Sequence, residues 1–356
     1  MIIAKAGGSE PIVKGGLIGD IAPPVPVEST HDGKAIAWPF DPNSLYQLYK
    51  SSSEHGRCCQ IKAECACGIG VVNADEWKPF MPRRFGAASF FARLELDLEA
   101  YGNAFVEVIR AGGRVVGLDF LPARTMYARR DGGFVQWIYE VDGAFVEVDF
   151  SEREVLHLRV PCTAGLHYSL PSWISGTGMV ELVYAATEYN SAFFRNRSVP
   201  DYAVVTKGGQ LSEASKETIK TFFREEFSGA SNAHRAIYIP AGSGTEVDFK
   251  KLTEDRKDGD FLALLDAGRE RIITAHGVPP RMVGIMSAGQ LGGGSEASVQ
   301  AEIFETMTLA PCRRRMVEQV EELCDEIGIQ PPEFLPLRLE SVSGAKPQDG
   351  VHDVVR

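Results

Sequence analysis

No stretch of this 356-residue chain approaches the roughly 18 consecutive apolar residues that a membrane-spanning helix needs. The opening Met1-Ile2-Ile3-Ala4-Lys5 is too short for the apolar core of a secretion signal, and no small-residue cleavage site follows it. The chain is therefore expected to act in the cytoplasm, or in something assembled there. Positive charge is also scarce. With 37 Lys+Arg against 48 Asp+Glu, the net charge of −11 argues against a protein that grips nucleic acid by neutralising its phosphates. Paired cysteine knuckles are missing too. Cys58 and Cys59 are adjacent, Cys65 and Cys67 are one residue apart, and no second pair follows, although His55 lies close by. A structural zinc site usually draws on two separated pairs, so these residues read as buried small side chains of an Ala/Cys-rich helix, reduced in a cytoplasmic chain.

The motifs of catalysis are likewise incomplete. Gly292-Gly293-Gly294-Ser295 precedes a helix, where an anion could bind, but a phosphate loop ends in Gly-Lys-Ser/Thr, and here Gly294 is followed by Ser295 and Glu296, a carboxylate that would repel phosphate. Gly68-Ile69-Gly70 lacks the third glycine of a dinucleotide fingerprint. Asp255, Asp258 and Asp260 begin like a calcium loop, but Phe261 and Leu262 break the ligand pattern. His157 alternates with Leu156 and Leu158 in a strand pattern, and neither it nor His167 has a nucleophile elbow or a metal-spaced partner. No catalytic residue, metal site or cofactor is expected.

What is present is a sequence of regular elements. Residues 1 to about 40 are rich in Gly and Pro (Pro23-Pro24-Val25-Pro26) and predict an extended or mobile arm. A helix is predicted from Asn43 to about Cys67 after the cap signal Asp41-Pro42, and another from a Ser89 cap through Phe90, Leu94, Leu98 and Tyr101 to Gly102. Alternating segments at 104–109, 114–120, 126–128, 134–139, 144–148 and 155–159 predict an antiparallel sheet buried on one face, with turns at Gly112-Gly113, Gly132-Gly133 and Asp142-Gly143. Met179, Leu182, Val183, Ala186, Tyr189 and Phe193 form a helical stripe over 178–197, ended before Pro200. A strand at 202–206, a helix from Ser212 and a strand at 236–240 form a small piece before a second long helix, which starts near Asp258 and stops at Gly277 ahead of Pro279-Pro280. A last helical run from Glu296 to Ile327 is predicted to bend at Pro311, where a backbone donor is lost. Glu318, Glu321, Glu322, Asp325 and Glu326 draw a solvated acidic face on it. The basic triplet Arg313-Arg314-Arg315 suits either phosphate or an acidic partner such as Glu318, in this chain or another copy.

Five segments, in order, resemble the portal proteins of tailed bacteriophages, in particular the PBSX-type family. They are Tyr101-Gly-Asn-Ala-Phe-Val-Glu-Val108 with Gly113–Leu118 and Leu121-Pro-Ala123; Val155-Leu-His-Leu-Arg159 with Tyr168-Ser-Leu-Pro-Ser172; Phe193-Phe-Arg-Asn196 before Pro200; Gly277-Val-Pro-Pro-Arg-Met-Val-Gly284; and Thr308-Leu-Ala-Pro311. Ser169 replaces the family's usual glycine, and Arg197-Ser198 its small residues. The resemblance covers about residues 40 to 330. It implies an α+β portal fold with a β-rich wing, two long antiparallel stem helices, a small α/β clip and a kinked helix running toward the crown. The implied boundaries are an arm at 1–40, wing at 41–177, first stem helix at 178–199, clip at 200–248, second stem helix at 249–277, tunnel loop at 278–296, kinked helix at 297–330 and tail at 331–356.

The function this resemblance implies is a dodecameric ring at one capsid vertex of a virion assembled in the host cytoplasm. Double-stranded DNA passes through it non-specifically, and it docks the terminase large subunit, a head–tail adaptor or completion protein, and the major capsid and scaffold proteins. On that reading Ser287, Gln290, Leu291, Gly292, Gly293, Gly294 and Ser295 line the narrowest part of the bore. Acidic walls suit such a conduit, since their repulsion of DNA is screened over ~10 Å at 0.1 M salt. Two other readings compete: a ring-forming adaptor or scaffold without a DNA-sized bore, and a nucleotide-binding enzyme with the glycine loop over phosphates.

Overall fold

The computed structural model describes residues 35–139, 145–163, 165, 167–196, 202–207, 246–251, 258–285 and 294–338. The chain forms two compact units. One combines Met1–Glu181 with Glu270–Arg356, and the other is Leu182–Arg269.

The discontinuous unit begins with helices α1 (Pro42–Ser51) and α2 (Ser53–Ala63). The single helix expected here is broken because Ser52 adopts an extended backbone and turns its hydroxyl to cap the second helix, accepting from His55 N at 3.2 Å. Asp41 caps α1 as expected, accepting from the backbone of Asn43 and Ser44. α2 runs into a π-turn at Glu64–Gly68. A short helix α3 (Ala74–Trp77) leads to α4 (Ala87–Tyr101), capped by Gly86 rather than Ser89 and ended by Gly102 in the left-handed region.

The β-rich region forms two sheets, not the single one expected. β1 (Asn103–Ala111), β2 (Arg114–Leu121) and β6 (Val155–Arg159) form an antiparallel sheet of order β2-β1-β6. β3 (Met126–Ala128), β4 (Phe134–Tyr139) and β5 (Phe145–Phe150) form the other. Pro122 and a 3-10 turn at Ala123–Thr125 interrupt the hairpin series between them. β6 then pairs with β1, from Asn103↔Arg159 to Glu107↔Val155. Gly112, Gly113, Gly132 and Gly133 all have positive φ, as tight hairpin turns require. The Asp142-Gly143 turn lies outside the described residues.

Residues 35–40, the end of the arm expected to be extended or mobile, are held on the β-rich region. Ala35 bridges to Arg129, and the buried Trp38 donates its indole N–H to Met126 O at 2.9 Å.

The unit Leu182–Arg269 takes in most of α5 (Thr177–Asn196), and in it β7 (Tyr202–Lys207) pairs antiparallel with β8 (Glu246–Lys251). The strand expected at 236–240 and the helix from Ser212 lie outside the described residues. The α5 stripe is less buried than its periodicity suggested: Leu182 is exposed, Met179, Val183 and Ala186 are half-buried, and Val180 is fully covered.

Helix α6 (Asp258–His276) returns to the first unit, which ends with α7 (Gly294–Phe304), a π-turn (Glu305–Leu309) and α8 (Ala310–Ile327). The irregularity expected at Pro311 sits just before it. Lacking an N–H, Pro311 cannot bond back to Met307, and the widened π-turn absorbs that missing bond.

The core of this unit joins α2, α4, α8 and the β1 sheet through Phe90, Phe91, Leu94, Leu98, Val106, Leu158, Met316 and Val320. Such fully covered Leu and Phe side chains contribute ~1.5–3 kcal/mol each. Charges run through it as well. Lys62 Nζ lies 2.6 Å from Glu99 Oε2, and Arg315 Nη2 lies 2.5 Å from Glu95 Oε1. Arg313 pairs with Glu305 and donates to the π-turn carbonyls of Cys65 and Ala66. Two members of the basic triplet thus do find acidic partners, but Glu305 and Glu95 rather than Glu318. Arg314 stays exposed. The acidic face of α8 is exposed as expected, with Glu326 bound by both Nη atoms of Arg110.

Candidate functional site: the loop between α6 and α7

The end of α6 is built to stop. Gly277 adopts φ +64, its N–H bonds to Thr274 O at 3.0 Å, and Val278 N reaches back to Ile273 O at 3.3 Å. These two bonds satisfy the last carbonyls of the helix in the Schellman manner. Pro279 and Pro280 then start a 3-10 turn over Pro280–Val283, closed by Gly284 at φ +82 with Ile285 N on Pro280 O at 3.0 Å. Met282, Val283 and Ile285 pack on the core. Thr308 of the π-turn donates to Gly277 O at 3.1 Å. The segment entering the loop is therefore held on three sides.

The loop proper, including Ser287, Gln290, Leu291, Gly292 and Gly293, lies outside the described residues. Gly294 and Ser295 are the first two residues of α7, so the helix begins inside the glycine run. Glu296, expected as a phosphate-repelling charge, has a partner within the chain. Its Oε2 accepts from Arg281 Nη2 at 3.2 Å, which ties the exit of the loop to its entrance.

The two motifs around Gly102 and Ser169 meet in space. Asn103, fully buried, donates to Tyr101 O (3.0 Å) and Ser169 O (2.8 Å). Its Oδ1 accepts from Ser169 N (3.0 Å) and from His157 Nε2 (3.1 Å). A β-carbon on Gly102 would lie 2.5 Å from Leu170 C, so no side chain fits there. His157 stacks on Phe105 at 4.2 Å between ring centroids, and burial, with the Arg159 charge adding to it, pushes its imidazole down to about 3. It has a packing role in a neutral form. Tyr168, the next motif residue, donates to Ile36 O, accepts from Ala128 N and stacks on Trp38.

Two buried groups bring metal-binding side-chain types together, His55–Cys59–His276 and Glu95–Glu99–Cys312. The carboxylates of the second already hold Arg315 and Lys62. The first was not legible in the sequence beyond the i,i+4 spacing of His55 and Cys59, because His276 lies 221 residues from His55.

The family model described as "Phage portal protein" matches residues 83–331, more than half of the chain. The chain is 25% identical over 276 residues to a protein named probable portal protein of Streptomyces phage phiC31, covering 75% of this chain and 59% of that relative. It is also 25% identical to the probable portal protein of Escherichia phage P2, covering 67% of this chain and 69% of the relative. Among solved structures, a chain from the virion of a native gene transfer agent particle aligns with a TM-score of 0.60 at 21% identity, covering 87% of each. An HK97 family phage portal protein from Corynebacterium diphtheriae aligns with a TM-score of 0.53 at 15% identity, covering 82% of this chain and 94% of that one. These structural likenesses bear on the fold.

Proposed function

The chain belongs to the phage portal protein family, matched over residues 83–331, and on that premise we propose that it is the subunit of a ring at one capsid vertex through which DNA is packaged and ejected. The family match carries the reading. The chain spans 59% of the length of the phiC31 relative, so what the whole of that protein does comes to this chain as part of the proposal. A twelvefold ring is supported by another structural neighbour, a chain in the neck of a gene transfer agent particle computed with C12 symmetry.

Within the ring, residues 41–177 form the wing, 178–199 and 249–277 the stem, 200–248 the clip and 297–330 the helix toward the crown. The tunnel loop at 278–296 faces the bore through Ser287, Gln290, Leu291, Gly292, Gly293, Gly294 and Ser295, the last two in the first turn of α7. Two features support the loop assignment. Its entrance is fixed by the Gly277 and Gly284 turns, and its exit is tied back by Arg281–Glu296, so both ends of the loop are anchored. The clip meets the terminase large subunit during packaging and a head–tail adaptor afterwards, while the wing meets capsid and scaffold proteins. The chain is a passive conduit in the virion, with the motor chemistry supplied by another protein.

Negative-stain microscopy of the purified chain tests the ring: a channel of DNA width is expected, and rings without a bore would favour the adaptor reading. Deleting Gly289 to Gly293, which spares α7 and the Arg281–Glu296 tie, should leave rings intact while heads lose packaged DNA. Normal full heads from that deletion would remove the loop from the mechanism.

A further inference from the structure

We propose that His55, Cys59 and His276 form a binding site for a soft or borderline d10 metal cation, Zn2+ or Cu+, which fastens the end of α6 to α2. His55 and Cys59 stand one helical turn apart on the same face of α2, and His276 is the last residue of α6. Their ligand atoms all lie within 4.8 Å of one another. His55 Nδ1 is 2.8 Å from His276 Nε2 and 3.9 Å from Cys59 Sγ. A tetrahedral ion with bonds of about 2.0–2.1 Å to nitrogen and about 2.3 Å to sulfur sets its ligands roughly 3.3–3.6 Å apart. The observed distances fall either side of that range, so the two nitrogens would part by about half an ångström and the thiol would close in to admit the ion.

The surroundings favour a metal over an imidazole pair alone. All three residues are buried, at 0%, 0% and 3% exposure. The converging atoms are His55 Nδ1, His276 Nε2 and Cys59 Sγ, so a cation between them would engage three buried ligand atoms at once. Imidazole and thiolate together select zinc or cuprous ions over hard cations. Trp173 lies against both rings, 4.0 Å from His55 and 5.8 Å from His276 between centroids, which holds the rings in place. Binding would displace the Cys59 proton and leave the thiolate as a ligand. With Cu+ the three-coordinate site is neutral; with Zn2+ a water completes four ligands. Either ion would hold α6 one residue before Gly277, where the chain turns toward the loop.

The test uses the full-length chain without a polyhistidine tag, stripped by chelator and reloaded separately with Zn2+, Cu+ and, as a spectroscopic probe, Co2+. One ion per subunit is expected, with a sulfur-to-cobalt charge-transfer band and a raised melting temperature. X-ray absorption on the wild-type protein should show one sulfur and two imidazoles around the metal. Cys59→Ala should abolish the charge-transfer band, and His276→Gln should lower metal retention at least tenfold. A wild-type protein that takes up no metal, or a shell with no sulfur or with two, overturns the proposal whether or not the variants fold. Ring assembly, scored in the same preparations, tests the portal reading independently of the metal.

Discussion

Replacing Asn103 by alanine should be among the most damaging single changes in the chain. The side chain makes four hydrogen bonds in a fully buried position, to Tyr101 O, Ser169 O, Ser169 N and His157 Nε2. Truncation leaves those four groups without that partner. A buried group left unpaired costs ~1–3 kcal/mol. Water entering the small void would recover part of it, so a loss of about 3–5 kcal/mol is expected. Urea unfolding followed by tryptophan fluorescence is the assay, since Trp38 stacks on Tyr168 beside the perturbed bonds. Asn103→Asp sharpens the test. The shape is kept and both acceptor bonds survive, but the two donations to carbonyls become repulsions. The new carboxylate should also lift the His157 imidazole well above its present depressed value. A loss under 1 kcal/mol for the alanine variant would refute the claim that this bond set joins the two segments.

The remaining predictions concern the buried charges. His157 is neutral in the fold, with its pKa lowered from 6.5 to about 3, so the unfolded chain binds more protons between those values. Its contribution is complete above about pH 6.5 and is lost as pH falls toward 3, at up to ~1.4 kcal/mol per pH unit. His157→Phe should flatten that part of the stability–pH profile; an unchanged slope would contradict the assignment. For Lys62, burial alone would lower the pKa, and the Glu99 carboxylate more than compensates, leaving it raised. Lys62→Met removes the cation bonded to the buried Glu99 and should cost ~3–5 kcal/mol, whereas the double change with Glu99→Leu should recover most of that loss. Equal losses in the single and double variants, read by the same unfolding assay, would show that the pair itself is not what matters.

Much of the architecture could be read from local signals. The Gly112-Gly113 and Gly132-Gly133 turns, the stop at Gly277 and the span of α6 all depend on neighbours a few residues away. What escaped depends on distant partners. The split into two sheets follows from β6 returning to β1 across the intervening hairpins, which alternation alone cannot show. Arg313 and Arg315 were legible as cations needing carboxylates, but Glu95 is 220 residues from Arg315. In sequence Ser52 reads as one more helical residue, whereas in the fold its hydroxyl caps α2. At the candidate site, Glu296 was legible as a charge, while its partner Arg281 was not. The motif residues Gly102 and Asn103 were legible as a pattern, and the structure supplies the cause: a close backbone approach and a saturated amide.

The burial of Glu95 and Glu99 also sets an order of events during synthesis. Lys62 leaves the ribosome before Glu99, but Arg315 follows Glu95 by 220 residues. At ~5–20 residues per second that interval is on the order of 10–40 s. Through it, α4 carries a carboxylate whose counterion has not been made, and burial pushes the Glu95 carboxyl up toward its neutral form. Until α8 emerges, closing α4 into its core would bury Glu95 without the guanidinium that faces it in the finished fold.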